Sequence, residues 1–257
     1  MCKIWGFTSK KEREINEYLR IFYQAGCQHP HGWGLAYQEQ QEILTEKEPV
    51  SALSSSYLKE RLSVPIYTAT ALAHIRYATI GAVEYRNCHP FTGYDISGRK
   101  WTLIHNGTIF HYEPLNVYAK RQQGDTDSER ILLYILERLN AGIRDKGGPL
   151  LAAERFAIID EVVRGMSEGN KLNLLLADGE TVYAHTNLRE SLYCLKEKDS
   201  AMFSTSPLTD QDWRPLSFMQ LQGYQEGKLV LEGQKHSNEY IETQEQLKYI
   251  YQAFAEL

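Results

Sequence analysis

The sequence predicts an α+β protein with mostly antiparallel sheets, on three observations. The hydrophobic period switches between two and 3.6 in blocks; the blocks run strands, two successive helices, strands, and a last helix; and no strict strand–helix–strand alternation appears that would build a parallel sheet. Such sheets need helices over their outer faces, and the periodicity leaves the number of layers open.

Taken in order, residues 2–8 read as a strand. KEREINEYLRIFYQAG turns helical, with Ile15, Tyr18, Leu19, Phe22 and Ala25 on one face. QHPHGWGLAYQ is a glycine-punctuated turn entering a strand, with EILTEKE as its hairpin partner. A helix is expected around Ala52–Leu62, before Pro65. IYTATALAHIRYA is β-rich, and WTLIHNG is a strand ending in a turn. TDSERILLYILERLNAG is a helix whose Ile131, Leu132, Ile135, Leu136 and Leu139 share a face, opened by a capping box of Thr126 and Glu129. PLLAAERFAIIDEVVRGM is a second helix. KLNLLLADG, ETVYAH, SLYCLKE and AMFSTS then read as successive strands, and IETQEQLKYIYQAFAEL as a closing helix capped by Thr243 and Gln246.

Composition narrows the function. The 257 residues are 42% hydrophobic and 24% charged, an ordinary globular balance. A net charge of −5 argues against a nucleic-acid partner or an anionic membrane surface. No apolar run approaches the roughly 20 residues of a membrane span, and MCKIWGFTSKKERE has too short an apolar stretch for a signal peptide. Cys2, Cys27, Cys88 and Cys194 are scattered without a CxxC pair, which reads as reduced thiols in a cytoplasm. No spacing matches a metal site, a phosphate-binding loop or a GxSxG elbow, so neither metal nor cofactor is expected.

Polar clusters fall at the ends of predicted strands or the start of a helix: HGWG (31–34), AHIRYATIG (73–81), CHPF (88–91), IHNGT (104–108) and GDTDSE (124–129). Each has an ordinary explanation. Asn106-Gly107 makes a tight turn, Asp127 suits the first turn of a helix, and Cys2 fits a buried strand start. Cys2 behind Met1 also allows another reading. A chain trimmed to Cys2 carries a thiol nucleophile with an α-amino base on the same residue.

The order of the clusters says more than any one of them. Cys2, HGWG, HxRxAT, HPF, HNG and TDSE, continuing through NLLLADG, ETVYAH and STSPLTDQDW, resemble the glutaminase domain of class-II glutamine amidotransferases over nearly the whole chain. The nearest likeness is to the free-standing branch, which lacks a synthase domain and includes enzymes acting on γ-glutamyl compounds. The resemblance implies an N-terminal-nucleophile hydrolase fold, αββα, as one domain over 1–257. It implies removal of Met1, attack by Cys2 on a γ-carboxamide, and an oxyanion held by Asn106 and Gly107. It implies Arg76 on the substrate α-carboxylate with Thr79 in support, Asp127 on the α-ammonium, and His89 near the substrate. Trp33 reads as a packing residue. Lys3, Ile80 and Phe91 depart from residues common in synthase-coupled members, on the side that concerns the acceptor. The expected reaction turns glutamine or a γ-glutamyl amide into glutamate through a Cys2 thioester. The alternatives are an ammonia-donating glutaminase subunit that works with a separate synthase as acceptor-enzyme partner, and a non-catalytic binding or regulatory domain of the same fold.

Overall fold

The computed structural model describes residues 2–40 and 42–255, with side chains as far as Ile250. The first strand is longer than its apolar run. β1 spans Lys3–Glu14, so KKERE continues the strand and helix α1 begins only at Asn16 (Asn16–Gln24). The reason is tertiary. After an irregularity between Thr8 and Arg13, Arg13 and Glu14 pair with Thr68 and Tyr67 of β4 (Tyr67–Ile75), and the ladder overrides the local preference of the charged run. β2 (Trp33–Glu39) and β3 (Glu42–Glu48) form the expected hairpin. Helix α2 is shorter than expected, Ser56–Arg61, with the Ser55 hydroxyl accepting the Leu58 amide.

β5 (Phe91–Tyr94) and β6 (Lys100–Thr108) lead into α3 (Asp127–Lys146) and α4 (Ala152–Met166). β7 (Lys171–Ala177), β8 (Val182–His185), β9 (Tyr193–Lys196), β10 (Ser200–Ser204), β11 (Arg214–Pro215), β12 (Gln222–Gln225) and β13 (Lys228–Glu232) follow, and α5 (Gln244–Ala255) closes the chain. Among the described residues these make a seven-stranded sheet in the order β11-β9-β10-β1-β4-β2-β3 and a six-stranded sheet in the order β13-β12-β8-β7-β6-β5. The strand pairings within both are antiparallel. No helix among the described residues is long and apolar enough to cross a membrane.

Side-chain alternation sorts the core into three clusters. Trp5, Phe7 and Ala73 on one face of the seven-stranded sheet pack with Leu19, Phe22 and Leu58 of α1 and α2. Leu103, Leu174 and Leu176 on one face of the six-stranded sheet pack with Ile131, Ile135, Ile159 and Val163 of α3 and α4. The inner faces meet through Ile4, Leu72, Ile104, Leu175 and Phe203. The result is an αββα sandwich, as the resemblance implied.

Alternation also shows where this inner layer stops being apolar. On β6 and β7 the residues that share a face with Ile104 and Leu175 are Asn106, Thr108, Asn173 and Lys171, with Asn106 opposite Asn173 and Thr108 opposite Lys171. On the facing sheet the corresponding run is Cys2, His74 and Arg76, with His74 paired to Ile4. The inter-sheet core therefore turns polar at one end, and the motif residues collect there.

Candidate active site

Cys2 stands just before β1, half-buried, against the loop that follows β4. Its Sγ donates to the Tyr77 carbonyl at 3.4 Å and accepts the Tyr77 amide at 3.3 Å. Burial pushes the thiol above its ordinary range, while the Tyr77 amide and the Arg76 and Lys171 charges oppose that rise. Removal of Met1 lies outside the described residues.

HGWG holds the loop that Cys2 touches. The His31 amide donates to Arg76 O at 3.2 Å and the Arg76 amide to Gly32 O at 2.8 Å. His31 Nδ1 accepts the Ala78 amide at 2.9 Å. Gly34 passes so close to β5's approach that a Cβ there would collide with the His89 carbonyl. Trp33 is fully buried, with its Nε1 on Glu48 at 3.0 Å, which fits a packing role.

A small cavity joins the two sheets here. It is lined by Cys2, Tyr77, Thr79, Asn106, Gly107 and Lys171, among others. Gly107 fits because β7 lies against it, and a Cβ would strike the Lys171 carbonyl. Larger hollows lie elsewhere, including one of about 780 Å³ beside Arg99, Lys100 and Asp178. Asp178, Gly179 and Glu180 of the NLLLADG and ETVYAH motifs line it, but none of the seven expected site residues does, so its size does not make it the candidate site.

Four of the seven expected site residues, Cys2, Thr79, Asn106 and Gly107, thus share one cavity, and three do not line it. Arg76 is buried directly behind Tyr77. Its guanidinium donates to the carbonyls of Ala82 (2.8 Å), Ile80 (3.0 Å) and Gly81 (2.7 Å), using three of its five N–H groups. Asp127 is buried at the start of α3 and accepts the Ile109 amide at 2.8 Å, which ties it to the end of the Asn106-Gly107 strand. His89 departs furthest from expectation. It stacks on His74 with ring centroids 4.0 Å apart, meets Phe91 edge-on, and is buried between the sheets rather than facing the cavity. Neither nitrogen of either ring makes a hydrogen bond; His74 faces the His105 carbonyl without reaching hydrogen-bond geometry. Burial holds both rings far below the ordinary histidine range, hence neutral.

Sequence reasoning did not find Tyr77, Lys171, Tyr240 or Glu242, which also line the cavity. The one local hint was Lys171, the only charge in a strand that is otherwise apolar but for Asn173. It is buried, and desolvation brings its pKa down to about 8 against the opposing charges of Glu242 and Cys2.

With this geometry in view, the comparisons with known proteins agree. Residues 1–199 match the family model described as class-II glutamine amidotransferases. The chain belongs to that family. It is 30% identical over 215 residues to YafJ of Escherichia coli (strain K12), a protein that itself carries the glutamine amidotransferase label provisionally; the match covers 82% of each chain. A solved structure titled a predicted glutamine amidotransferase, from Pseudomonas aeruginosa PA01, superposes with a TM-score of 0.60 at 20% identity over 90% of this chain and 100% of that one. The glutamine phosphoribosylpyrophosphate amidotransferase of B. subtilis superposes at 0.66 with 13% identity, over 92% of this chain and 50% of its own. These likenesses identify the sandwich as the N-terminal-nucleophile hydrolase fold.

Proposed function

We propose that the chain, as one domain over 1–257, hydrolyses the γ-carboxamide of glutamine or of a γ-glutamyl amide and releases glutamate. The observation that supports this best is that Cys2 from one sheet and Asn106-Gly107 from the other line the same cavity. In this reading Met1 is removed and the new α-amino group of Cys2 takes the thiol proton, directly or through a water. The thiolate attacks the γ-carbonyl carbon. The Asn106 side-chain amide and the Gly107 N–H donate to the oxyanion, each such donor being worth about 3–4 kcal/mol in the transition state. The proton held on the α-amine passes to the departing nitrogen as the C–N bond breaks, leaving a γ-glutamyl thioester. Water then adds to the thioester carbon, and glutamate leaves as the thiol re-forms. In this reading Arg76 supplies the positive charge for the α-carboxylate, with Thr79 beside it, and Asp127 takes the α-ammonium.

Intact mass of the protein from its native host tests the first step, with loss of one methionine expected. A glutamine-like diazoketone should add to Cys2 and spare Cys27, Cys88 and Cys194. Burial pushes the Cys88 and Cys194 thiols up to about 11, away from reactivity. Cys2→Ala should abolish glutamate release; full activity in that variant would end the mechanism.

A further inference from the structure

The Cys2 cavity has a wall that belongs to neither sheet. Tyr240, Glu242 and Ile250 line it, and all three come from the segment after β13. Closed in this way the cavity measures about 20 Å³, room for about one water molecule. An amino-acid amide is several times larger, so the cavity must widen to admit one, and this wall is the part of its described lining that neither sheet holds.

The wall is anchored firmly at Tyr240. Tyr240 is buried, its amide donates to Asn187 O at 2.8 Å, and its ring stacks on Phe110 with a centroid separation of 6.2 Å. Beyond it the attachments thin out. Ile241 is 73% exposed, and residues 242–245 are exposed as well. Among the described residues, α5 meets the body through the edge of Tyr249 against Phe110 at 5.9 Å, the Gln246 side chain on Gly169 O at 3.1 Å, and Ile250. Glu242 adds a charge attraction to Lys171 inside the cavity. Among the described side chains, which end at Ile250, residues 241–250 are exposed or half-buried and make few contacts, which places this stretch at the low-stability end of the molecule, from which moving elements are drawn.

We propose that residues 241–255 form a strap over Cys2 that swings out about Tyr240 to admit substrate, making the C-terminal segment part of the active site. Glu242 against Lys171 is its latch, and Tyr249 and Gln246 are its outer fastenings. The substrate side of this proposal rests on the hydrolase reading above; the shielding of Cys2 does not.

Thiol labelling tests the shielding without turnover. The full chain is treated with iodoacetamide and, separately, with a bulky fluorescein maleimide, and the exposed Cys27 serves as internal reference. In a Gln246→Ala/Tyr249→Ala double variant the Cys2-to-Cys27 labelling ratio for the bulky reagent should rise at least fivefold, and Glu242→Gln should raise it in the same direction. Hydrogen exchange on the wild-type chain is the second measurement. Amides of 244–255 should exchange much faster than those of β6 and β7, and faster still once the diazoketone occupies Cys2 and holds the strap away. Unchanged labelling ratios, or 244–255 amides protected like the sheets and indifferent to the label, would overturn the strap. A responsive strap in a protein that releases no glutamate would instead overturn the hydrolase reading alone.

Discussion

The Asp127 carboxylate already accepts the Ile109 amide and, at 3.2 Å, the Ser128 hydroxyl, and it sits in the first turn of α3 where the helix dipole favours a negative charge. Those roles account for a buried aspartate without any substrate. They also predict a mild outcome for Asp127→Asn, because the amide oxygen can still accept from Ile109; at most about 1 kcal/mol of stability should go. The proposed pairing with a substrate ammonium predicts a different loss. Truncating one partner of a desolvated charge pair costs about 2–5 kcal/mol, so kcat/KM should fall 30-fold or more while the melting temperature hardly moves. Asp125, two residues earlier, faces outward, with its carboxylate on Arg86 at 3.4 Å and Asn87 at 3.3 Å. Asp125→Asn should change neither quantity much. Steady-state kinetics and melts of both variants decide it, and near-normal kcat/KM in Asp127→Asn would remove the ammonium site from this carboxylate.

At the scale of elements, α3 shows where local rules were read correctly and where a neighbour intervened. The Thr126 hydroxyl accepts the Glu129 amide at 3.3 Å, as a capping box requires. The Glu129 carboxylate does not return the bond to Thr126. It reaches the amides of Gln123 (2.7 Å) and Gly124 (2.8 Å), which the preceding turn presents first. The box at α5 is reciprocal, with Thr243 N on Gln246 Oε1 at 3.1 Å and Gln246 N on Thr243 Oγ1 at 3.2 Å. Thr126→Ala should therefore cost about 1 kcal/mol in denaturant melts. β6 makes a sharper test, because Gly107 lies against the β7 backbone. Gly107→Ala drives a methyl into the Lys171 carbonyl and should cost about 1–3 kcal/mol and suppress glutamate release. A variant as stable and as active as wild type would mean that β6 and β7 sit further apart at this point. The periodicity made these strands and helices readable in the sequence. It missed KKERE because a charged run without alternation carries no strand signal, and its pairing with β4 comes from the far side of α1 and α2. Of the candidate site, the order of the motifs pointed to Cys2, Thr79, Asn106 and Gly107, which line one cavity, and also to Arg76, His89 and Asp127, which do not. Asn106 and Cys2 sit on different sheets, so no spacing rule could bring them together, and Lys171, Tyr240 and Glu242 join them only after the chain has folded.

For the molecule as a whole, neutral histidines sealed in the sandwich set a pH limit. His74 and His89 stack between the sheets, and His105 sits beneath them with Nδ1 on the Ser128 hydroxyl at 3.0 Å. Burial lowers all three pKa values, and Arg76 adds to the effect at His74 while the neighbouring histidines add to it at His89. His185, with Nδ1 at 2.8 Å from Leu172 O and Nε2 at 3.0 Å from His236 Nε2, is brought down to about 3 by burial and by His236. In the unfolded chain each returns to about 6.5. Below that pH the unfolded state binds protons that the folded state refuses, so the stability these groups allow is complete above about pH 6.5 and is lost as pH falls toward their folded values. Each histidine that stays neutral costs about 1.4 kcal/mol per pH unit over that window. Lys171 does not share the window: its folded pKa near 8 lies below the unfolded lysine value, so its effect is confined to alkaline pH. Carboxylates with depressed values, such as Glu197 beside Ser200 and Arg13, act only below their unfolded value of about 4.5. The interval from pH 6.5 to 5 therefore isolates the histidines. Denaturant melts across it should show a steep fall in unfolding free energy, and His185→Asn should flatten the slope by about one proton while lowering stability at pH 7.5 through the lost Leu172 contact. A flat profile between pH 6.5 and 5 would mean that these rings bind protons in the folded state, and that the inter-sheet core around His74 and His89 is open to water.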